Sequence, residues 1–206
     1  MSQRRSQRRY RRRKHERPNE ITAAAFAAFA ENGYAATRVE DVARRAGVSK
    51  GLMYLYFKTK EELFKAVVRS VVLPRVNRLE ASIESSDLSA EAFLRGPLLE
   101  LMKQLPGSPV GIVVRLLIAE GPKHPDLVDY YWDKVASRGI GVLSRVLERG
   151  VEQGEFRRTA VNELPQLLIA PTLFAVIFKL LFSDKPLDIN RLLETHIDMV
   201  VNYVKA

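Results

Sequence analysis

Two short helical segments on either side of Gly47 constrain the fold of this chain more than any other feature. The first opens at Thr37-Arg-Val-Glu40, which has the pattern of a capping box, and carries small apolar residues on its inner face. The second is capped by Ser49 and runs to about Leu55. Small side chains let two helices cross closely, and glycine takes the sharp turn at little steric cost. The pattern therefore predicts a helix-turn-helix.

The second helix of this unit presents mostly small or polar residues outward, as a helix that enters a DNA major groove must. Lys50 can donate to guanine acceptors or to phosphate, and Lys58 and Lys60 lie where the next helix begins, at a second capping box, Thr59-Lys-Glu-Glu62. The alternatives are a solvated lysine surface and ordinary core tyrosines. The residues expected to face outward are Ser49, Lys50, Gly51, Leu52, Tyr54, Leu55 and Tyr56. Met53 and Phe57 are expected to point inward.

The stretch ARRAGVSKGLMYLYFKTKEEL, residues 43–63, resembles the signature of the TetR/AcrR family of transcriptional regulators, as does the lead-in FAENGY, residues 29–34. The resemblance covers roughly residues 18–70. It implies that Thr37 and Arg38 lie near the DNA backbone and that Lys50, Gly51 and Leu52 face the bases. It also implies phosphate contacts for Tyr54, Tyr56 and Lys60. Leu52-Met53 departs from the Thr-Leu of many relatives, so a thymine methyl is a candidate contact for Leu52.

A cationic arm precedes this unit. Residues 1–17 hold nine basic residues and one acid, a net charge of +8, and the whole chain is +9, which leaves +1 for the remainder. Such a segment cannot bury apolar surface, so we expect it to be disordered and to seek phosphate. Its arginines either enter a minor groove beside the main site or form a loose tail that adds salt-sensitive affinity.

The rest of the chain has helical periodicity and no convincing strand pattern. We predict an all-α protein with three parts: the arm, a three-helix DNA-binding domain over 18–72, and a helical bundle for ligand binding and dimerisation over 75–206. Pro74 should end or kink the fourth helix, and Gly96-Pro97 should kink a later one. Two further helices are predicted over 162–182 and 187–204.

The second domain resembles the regulatory domain of the family only in its arrangement, and that resemblance implies a homodimer and a small-molecule effector. The candidate dimer contacts lie on the last two helices: Leu168, Phe174, Ile177, Leu181, Leu193, Ile197 and Val200. The candidate effector contacts form an apolar and aromatic set with one cation: Phe93, Leu101, Arg115, Leu116, Ala119, Tyr130, Tyr131, Trp132 and Phe174. Packing within the monomer core is the alternative for both sets.

Other classes of function find little support in the sequence. There is no cysteine, the three histidines lie in separate segments, and no nucleophile elbow, phosphate loop or dinucleotide motif occurs, so we expect no enzyme, cofactor or metal site. With no signal peptide or membrane span evident, we expect a cytoplasmic protein. By resemblance it is a repressor on a pseudo-palindromic operator in double-stranded DNA. The alternative is an architectural, sequence-tolerant DNA-binding protein without an effector.

Overall fold

The computed structural model describes the backbone of residues 2–84 and 87–206, and side chains from residue 16 onward. Across these residues the chain is helical, and the nearest approach to a strand is an isolated bridge between Phe156 and Lys205. The all-α class is therefore confirmed. The α-helices are α1 (Ser2–Ala36), α2 (Val39–Arg45), α3 (Lys50–Tyr56), α4 (Lys60–Val71), α5 (Leu73–Glu84), α6 (Ala90–Phe93), α7 (Leu99–Gln104), α8 (Pro109–Glu120), α9 (Pro125–Tyr131), α10 (Ser137–Glu152), α11 (Ala160–Glu163), α12 (Ala170–Leu181) and α13 (Ile189–Val204).

Prolines set several helix boundaries. α4 ends at Val71, and Pro74 is the second residue of α5, where its missing N–H costs no helical hydrogen bond. Pro97 lies in a π-helical turn, Leu94–Leu98, at the predicted kink. The single helix predicted over 162–182 is wrong, because Pro165 forces Leu164 out of helical geometry, to φ −123° and ψ 62°. A 3₁₀ turn, Pro165–Leu168, follows before α12 begins.

The arginine-rich arm differs from the expectation. Its backbone continues α1 back to Ser2, whereas we predicted a disordered segment as far as residue 17. Arginine, glutamine and lysine all have high helix propensity, and no glycine or proline precedes Pro18, so the helix has a simple local cause. The predicted contacts of its arginines with DNA fall on side chains outside the described residues, except for Arg17, whose Nη1 lies 2.8 Å from a carboxylate oxygen of Glu20.

The chain folds as two compact units, and the first comprises Met1–Ser70 together with Leu116–Val128. Its core holds Ile21, Phe29, Tyr34, Val42, Met53, Leu63 and Phe64. The segment Leu116–Val128, which the sequence placed in the second domain, belongs here. The ring of His124 packs edge-on against Tyr34, with the ring centroids 4.9 Å apart.

The second unit comprises Val71–Arg115 and Asp129–Ala206. Its core joins residues of α5, α6, α7, α10 and α13, among them Phe93, Leu98, Met102, Val146, Leu147 and Val201. Along α10, Gly150 lies directly against the Phe156 ring, where a Cβ atom would overlap the ring and come within 2.9 Å of the Ala90 Cβ. This helix therefore approaches its neighbours as closely as a glycine permits.

Among the described residues, no single helix has the length and apolar composition of a membrane span, and one bent pair of helices passes that test by length and composition only.

Two glycines of α10 give a matched test of this packing. Gly150→Ala should lower the free energy of unfolding by about 1–3 kcal/mol, because the new methyl group overpacks the core. Gly139→Ala should raise it by about 0.5–1 kcal/mol, because nothing lies within 4 Å of the new Cβ and alanine favours the helix. Urea denaturation of both variants measures the difference. Equal stability of the two variants would contradict the packing described for Gly150.

Candidate nucleic-acid interface and ligand cavity

The turn between α2 and α3 is built as the sequence predicts. Gly47 has φ +63°, in the left-handed region that favours glycine, and the Val48 amide donates to the Ala43 carbonyl at 3.0 Å. Ser49 caps α3, since its Oγ accepts a hydrogen bond from the Leu52 amide at 3.2 Å. Met53 and Phe57 are buried, as expected. These contacts fix which face of α3 is turned outward.

The outward face of α3 mixes polar, aromatic and aliphatic groups. Lys50 and Tyr54 are exposed, and Leu55 is 70% exposed. Gly51 is exposed, with nothing within 4 Å of the position that a Cβ would occupy. Leu52 and Tyr56 are half-buried, and Arg38 and Lys58 are exposed nearby in the chain. This face therefore presents hydrogen-bond donors, a phenol ring and an apolar side chain to a binding partner.

Lys50 is held by an acid of the preceding helix. Its Nζ lies 2.7 Å from a carboxylate oxygen of Glu40 and 5.8 Å from the centre of the Tyr54 ring. The hydrogen bond raises the pKa of Lys50 and lowers that of Glu40. A phosphate or guanine that binds Lys50 must therefore compete with the Glu40 carboxylate.

The predicted DNA contact of Thr37 finds no support in the position of its side chain. Its side chain is buried, and its single hydroxyl proton lies between the Gly33 carbonyl, at 2.7 Å from Oγ1, and the Ala28 carbonyl, at 3.1 Å. The residue before α2 is Arg38, whose side chain makes no capping hydrogen bond, so the predicted capping box at Thr37 does not form. Thr37 instead fastens the start of α2 to the end of α1.

Lys60 is also engaged within the fold. Its Nζ donates to the carbonyls of Tyr34 and Ala35, at 2.8 and 3.0 Å, and lies 4.5 Å from the centre of the Tyr34 ring. Burial lowers the pKa of Lys60. The Tyr34 ring in turn contacts Phe29 and Phe64, and burial raises its pKa to about 12. To make the phosphate contact predicted for it, Lys60 would have to leave these carbonyls.

This anchor leads to a stability prediction. Lys60→Met should lower the free energy of unfolding by about 1–2 kcal/mol, because two charge-assisted hydrogen bonds are lost. Lys58→Met is the control, since the Lys58 side chain is exposed, and it should change stability by less than about 0.5 kcal/mol. Thermal and urea unfolding measure the stability of both variants. An equal loss of stability in the two would disprove the anchoring role of Lys60.

A cavity of about 420 Å³ lies within the second unit. Its walls come from α5, α7, α8, α10 and α12 and from the turns beside them, and they consist mainly of valine, leucine and isoleucine. The volume falls within the range of about 300–1,000 Å³ that is usual for small-molecule sites. The lining residues include Val76, Leu79, Leu98, Val110, Val135, Ile140, Leu143, Ile169 and Val176.

Three of the nine predicted effector contacts line this cavity: Leu101, Tyr131 and Trp132. Burial raises the pKa of Tyr131 to about 12, and Trp132 is 54% exposed. The other six residues of that set lie outside this cavity. Phe93 lies in the core, Leu116 and Ala119 belong to the first unit, and Arg115, Tyr130 and Phe174 do not line the cavity.

Arg75 is a lining residue that the sequence analysis missed. A signal was present, because Val72, Arg75, Val76 and Leu79 are spaced as one face of a helix, with a cation among apolar neighbours.

The predicted dimer residues separate into two groups. Leu168, Leu193, Ile197 and Val200 are buried in the core of the monomer, which corrects their assignment. Phe174, Ile177 and Leu181 of α12 are exposed, at 52%, 40% and 69%. Further exposed apolar residues lie beside them in the chain and on α13: Leu173, Leu180, Phe182, Met199 and Tyr203.

Known protein families match both the N-terminal and the C-terminal part of this chain. The family "Bacterial regulatory proteins, tetR family" matches residues 21–67, and "Tetracyclin repressor-like, C-terminal domain" matches residues 89–200. The fatty acid metabolism regulator protein of Bacillus subtilis is 24% identical over 192 residues, which cover 92% of this chain and 97% of that protein.

Solved structures share the fold. FadR from Bacillus subtilis, in complex with stearoyl-CoA, has a TM-score of 0.73 at 23% identity, covering 90% of this chain and 98% of that one. A transcriptional regulator from Saccharomonospora viridis, in complex with choline, has a TM-score of 0.77 at 22% identity, covering 93% and 99%. With both of its domains matched by family descriptions and its fold shared by such regulators, this chain belongs to the TetR family of DNA-binding transcriptional regulators.

Proposed function

We propose that this protein is a dimeric, sequence-specific repressor that a small molecule releases from its operator. The exposed face of α3 supports the DNA-reading part of this proposal most directly. Lys50, Gly51 and Leu55 lie outward on a short helix whose inner side, Met53, is buried. A helix held in this way can enter a major groove with its N-terminus first.

Within that groove each residue has a distinct role. Lys50 leaves Glu40 and donates to a guanine or a phosphate. The exposed Leu55 side chain contacts a thymine methyl group, and Gly51 lets the backbone come close to the base edges. Tyr54 donates from its hydroxyl to the DNA backbone. Arg38 and Lys58 add phosphate contacts, and the cationic arm adds affinity that falls with salt.

A second copy of the chain covers the exposed apolar face of α12. Phe174, Ile177 and Leu181 would otherwise leave large side chains in water, and the neighbouring Met199 and Tyr203 of α13 are 66% and 51% exposed. Burying such a face against the same face of a second chain gives a two-fold dimer. Two α3 helices in the dimer would then read half-sites about 34–36 Å apart, on a pseudo-palindromic operator.

The effector would occupy the apolar cavity of the second unit. Regulators of the same fold have been solved with stearoyl-CoA and with choline, which supports a ligand in this kind of bundle. A ligand that binds better to a state with another spacing of the α3 helices weakens operator binding by its difference in affinity for the two states.

Selection of bound duplexes from random DNA tests this proposal. We expect one pseudo-palindromic sequence to be enriched and footprinted, and to repress a reporter gene placed downstream of it. Equal recovery of all sequences would instead support an architectural DNA-binding protein, and activation of the reporter would contradict the repressor assignment.

The Lys50–Glu40 ion pair gives a sharper prediction. Glu40→Gln should tighten operator binding several-fold, because Lys50 then has no ion pair to break before it binds DNA. The substitution also removes one negative charge near the phosphates. The exposed Glu163, in the second unit, provides the control Glu163→Gln, which should leave affinity unchanged. Fluorescence anisotropy at two salt concentrations measures both. Weaker binding by Glu40→Gln would contradict the proposed release of Lys50.

The dimer face has its own pair of variants. Leu181→Glu should give a folded monomer that loses operator binding, because a charge on the apolar face opposes its burial. Leu55→Glu should remain a dimer and lose operator binding through α3 alone. Sedimentation velocity with circular dichroism distinguishes the two variants. A dimeric Leu181→Glu protein with full operator affinity would exclude α12 from the interface.

A further inference from the structure

The apolar cavity of the second unit contains one charged group. Of the described residues that line it, Arg75 of α5 alone is ionised at neutral pH. The side chain is half-buried, and its Nη1 donates to the Val71 carbonyl one turn earlier in the chain. That contact uses one of the five N–H groups of a guanidinium and leaves donors for a further acceptor.

A second, polar recess of about 150 Å³ adjoins the cavity. The two spaces share Arg75, Leu79 and Leu101 as lining residues, so Arg75 stands at their boundary. The other residues of the recess are mostly polar: Arg78, Ser82, Pro97, Glu100 and Gln104.

The charge of this recess favours an anion. Arg78 donates from Nε to the Pro74 carbonyl at 3.1 Å and keeps its other N–H groups. Glu100 is the only acid among the described lining residues, and its carboxylate lies 3.6 Å from Lys103 Nζ. Lys103 lies closer to Glu194, at 2.8 Å, so the balance in the recess is two guanidinium groups against one carboxylate.

These two compartments have different chemical requirements. The cavity accepts a flexible aliphatic chain, since its walls are valine, leucine and isoleucine and would desolvate a charge without pairing it. The recess accepts a small anionic group, which a planar guanidinium binds with two parallel hydrogen bonds. A molecule that fills both must be amphipathic, with its polar end at Arg75.

We propose that the effector is a single aliphatic chain with an anionic head group, and that Arg75 selects it by binding the head while the chain fills the cavity. This inference rests on the proposed function, since it names the effector of the same site. It also replaces Arg115, the cation expected from the sequence, with a residue of α5.

Trp132 provides a direct readout, because it is the only tryptophan in the chain and it lines the cavity. The full-length protein, without DNA, is titrated with dodecanoate, dodecanol, dodecyltrimethylammonium and dodecanoyl-coenzyme A, each below its micellar concentration. Fluorescence of Trp132 and calorimetry report the affinities. We expect an anionic ligand to bind at least about tenfold more tightly than the alcohol, and the ammonium ligand to bind most weakly.

Variants then locate the selectivity. Arg75→Met should bring the anionic ligand down to the affinity of dodecanol and leave dodecanol itself unchanged, while Arg75→Lys should retain part of the preference for the anion. Arg191→Met is the matched control, since Arg191 is exposed on α13 and does not line the cavity, and it should behave as the wild type.

The outcomes are distinct. Arg75-dependent binding of either the free acid or the thioester supports the inference, and the tighter of the two identifies the source of the anionic head. Equal affinity for acid and alcohol, a preference that survives in Arg75→Met, or no binding of any chain would overturn it. Because no DNA is present, each of these failures leaves the operator selection above unaffected and can be told apart from a failure of the proposed function.

Discussion

The aromatic cluster of Phe29, Tyr34 and Phe64 joins α1 to α4, and the rest of the DNA-reading unit is arranged around it. The Tyr34 ring lies 5.5 Å from the Phe29 ring and 5.9 Å from the Phe64 ring, measured between centroids. Lys60 covers the same tyrosine and binds its carbonyl, and Thr37 binds the backbone of α1 just before it. These contacts hold the end of α1, the start of α2 and the start of α4 together. Burial of this cluster restricts the motion of the helices that it joins, so the helix that contacts DNA is held in a defined position.

The second unit contains both a packed core and a cavity. The positions of its glycines and prolines help to explain how the two coexist. α10 approaches its neighbours at Gly150, while nothing lies within 4 Å of the Cβ position at Gly139, which lines the cavity. The π-helical turn at Pro97 interrupts regular helical geometry between α6 and α7. Tight packing near the C-terminal end of α10 thus accompanies an apolar cavity near its N-terminal end. The proposed effector binding depends on that volume and on Arg75 at its edge.

Turns, caps and burial that depend on neighbours in the chain could be predicted from the sequence, whereas contacts between residues far apart in the chain could not. The Gly47 turn, the Ser49 cap and the inward Met53 follow from neighbours within a few residues, and they are confirmed. Thr37 and Lys60 were assigned to DNA by resemblance, and the sequence did not reveal their contacts with Ala28 and Tyr34, which lie 9 and 26 positions away. An apolar stripe on a helix likewise predicts that this face is buried, but it does not identify the helix or the second chain that covers it.

The helices of the second unit illustrate that limit. Leu193 and Ile197 fill the monomer core, while Phe174 and Leu181, equally apolar in sequence, are exposed. The cation of the cavity was predicted at Arg115 and lies at Arg75, because a cavity is lined by residues from helices whose order in space the sequence does not state.

The central claim is that one chain couples DNA reading by α3 to a ligand in the apolar cavity. Reciprocal linkage tests it most directly: the dissociation constant of an aliphatic ligand is measured by calorimetry with and without a saturating selected operator, and that of the operator with and without saturating ligand. The account predicts that each weakens the other by the same factor. Independent binding, with both constants unchanged, would contradict it.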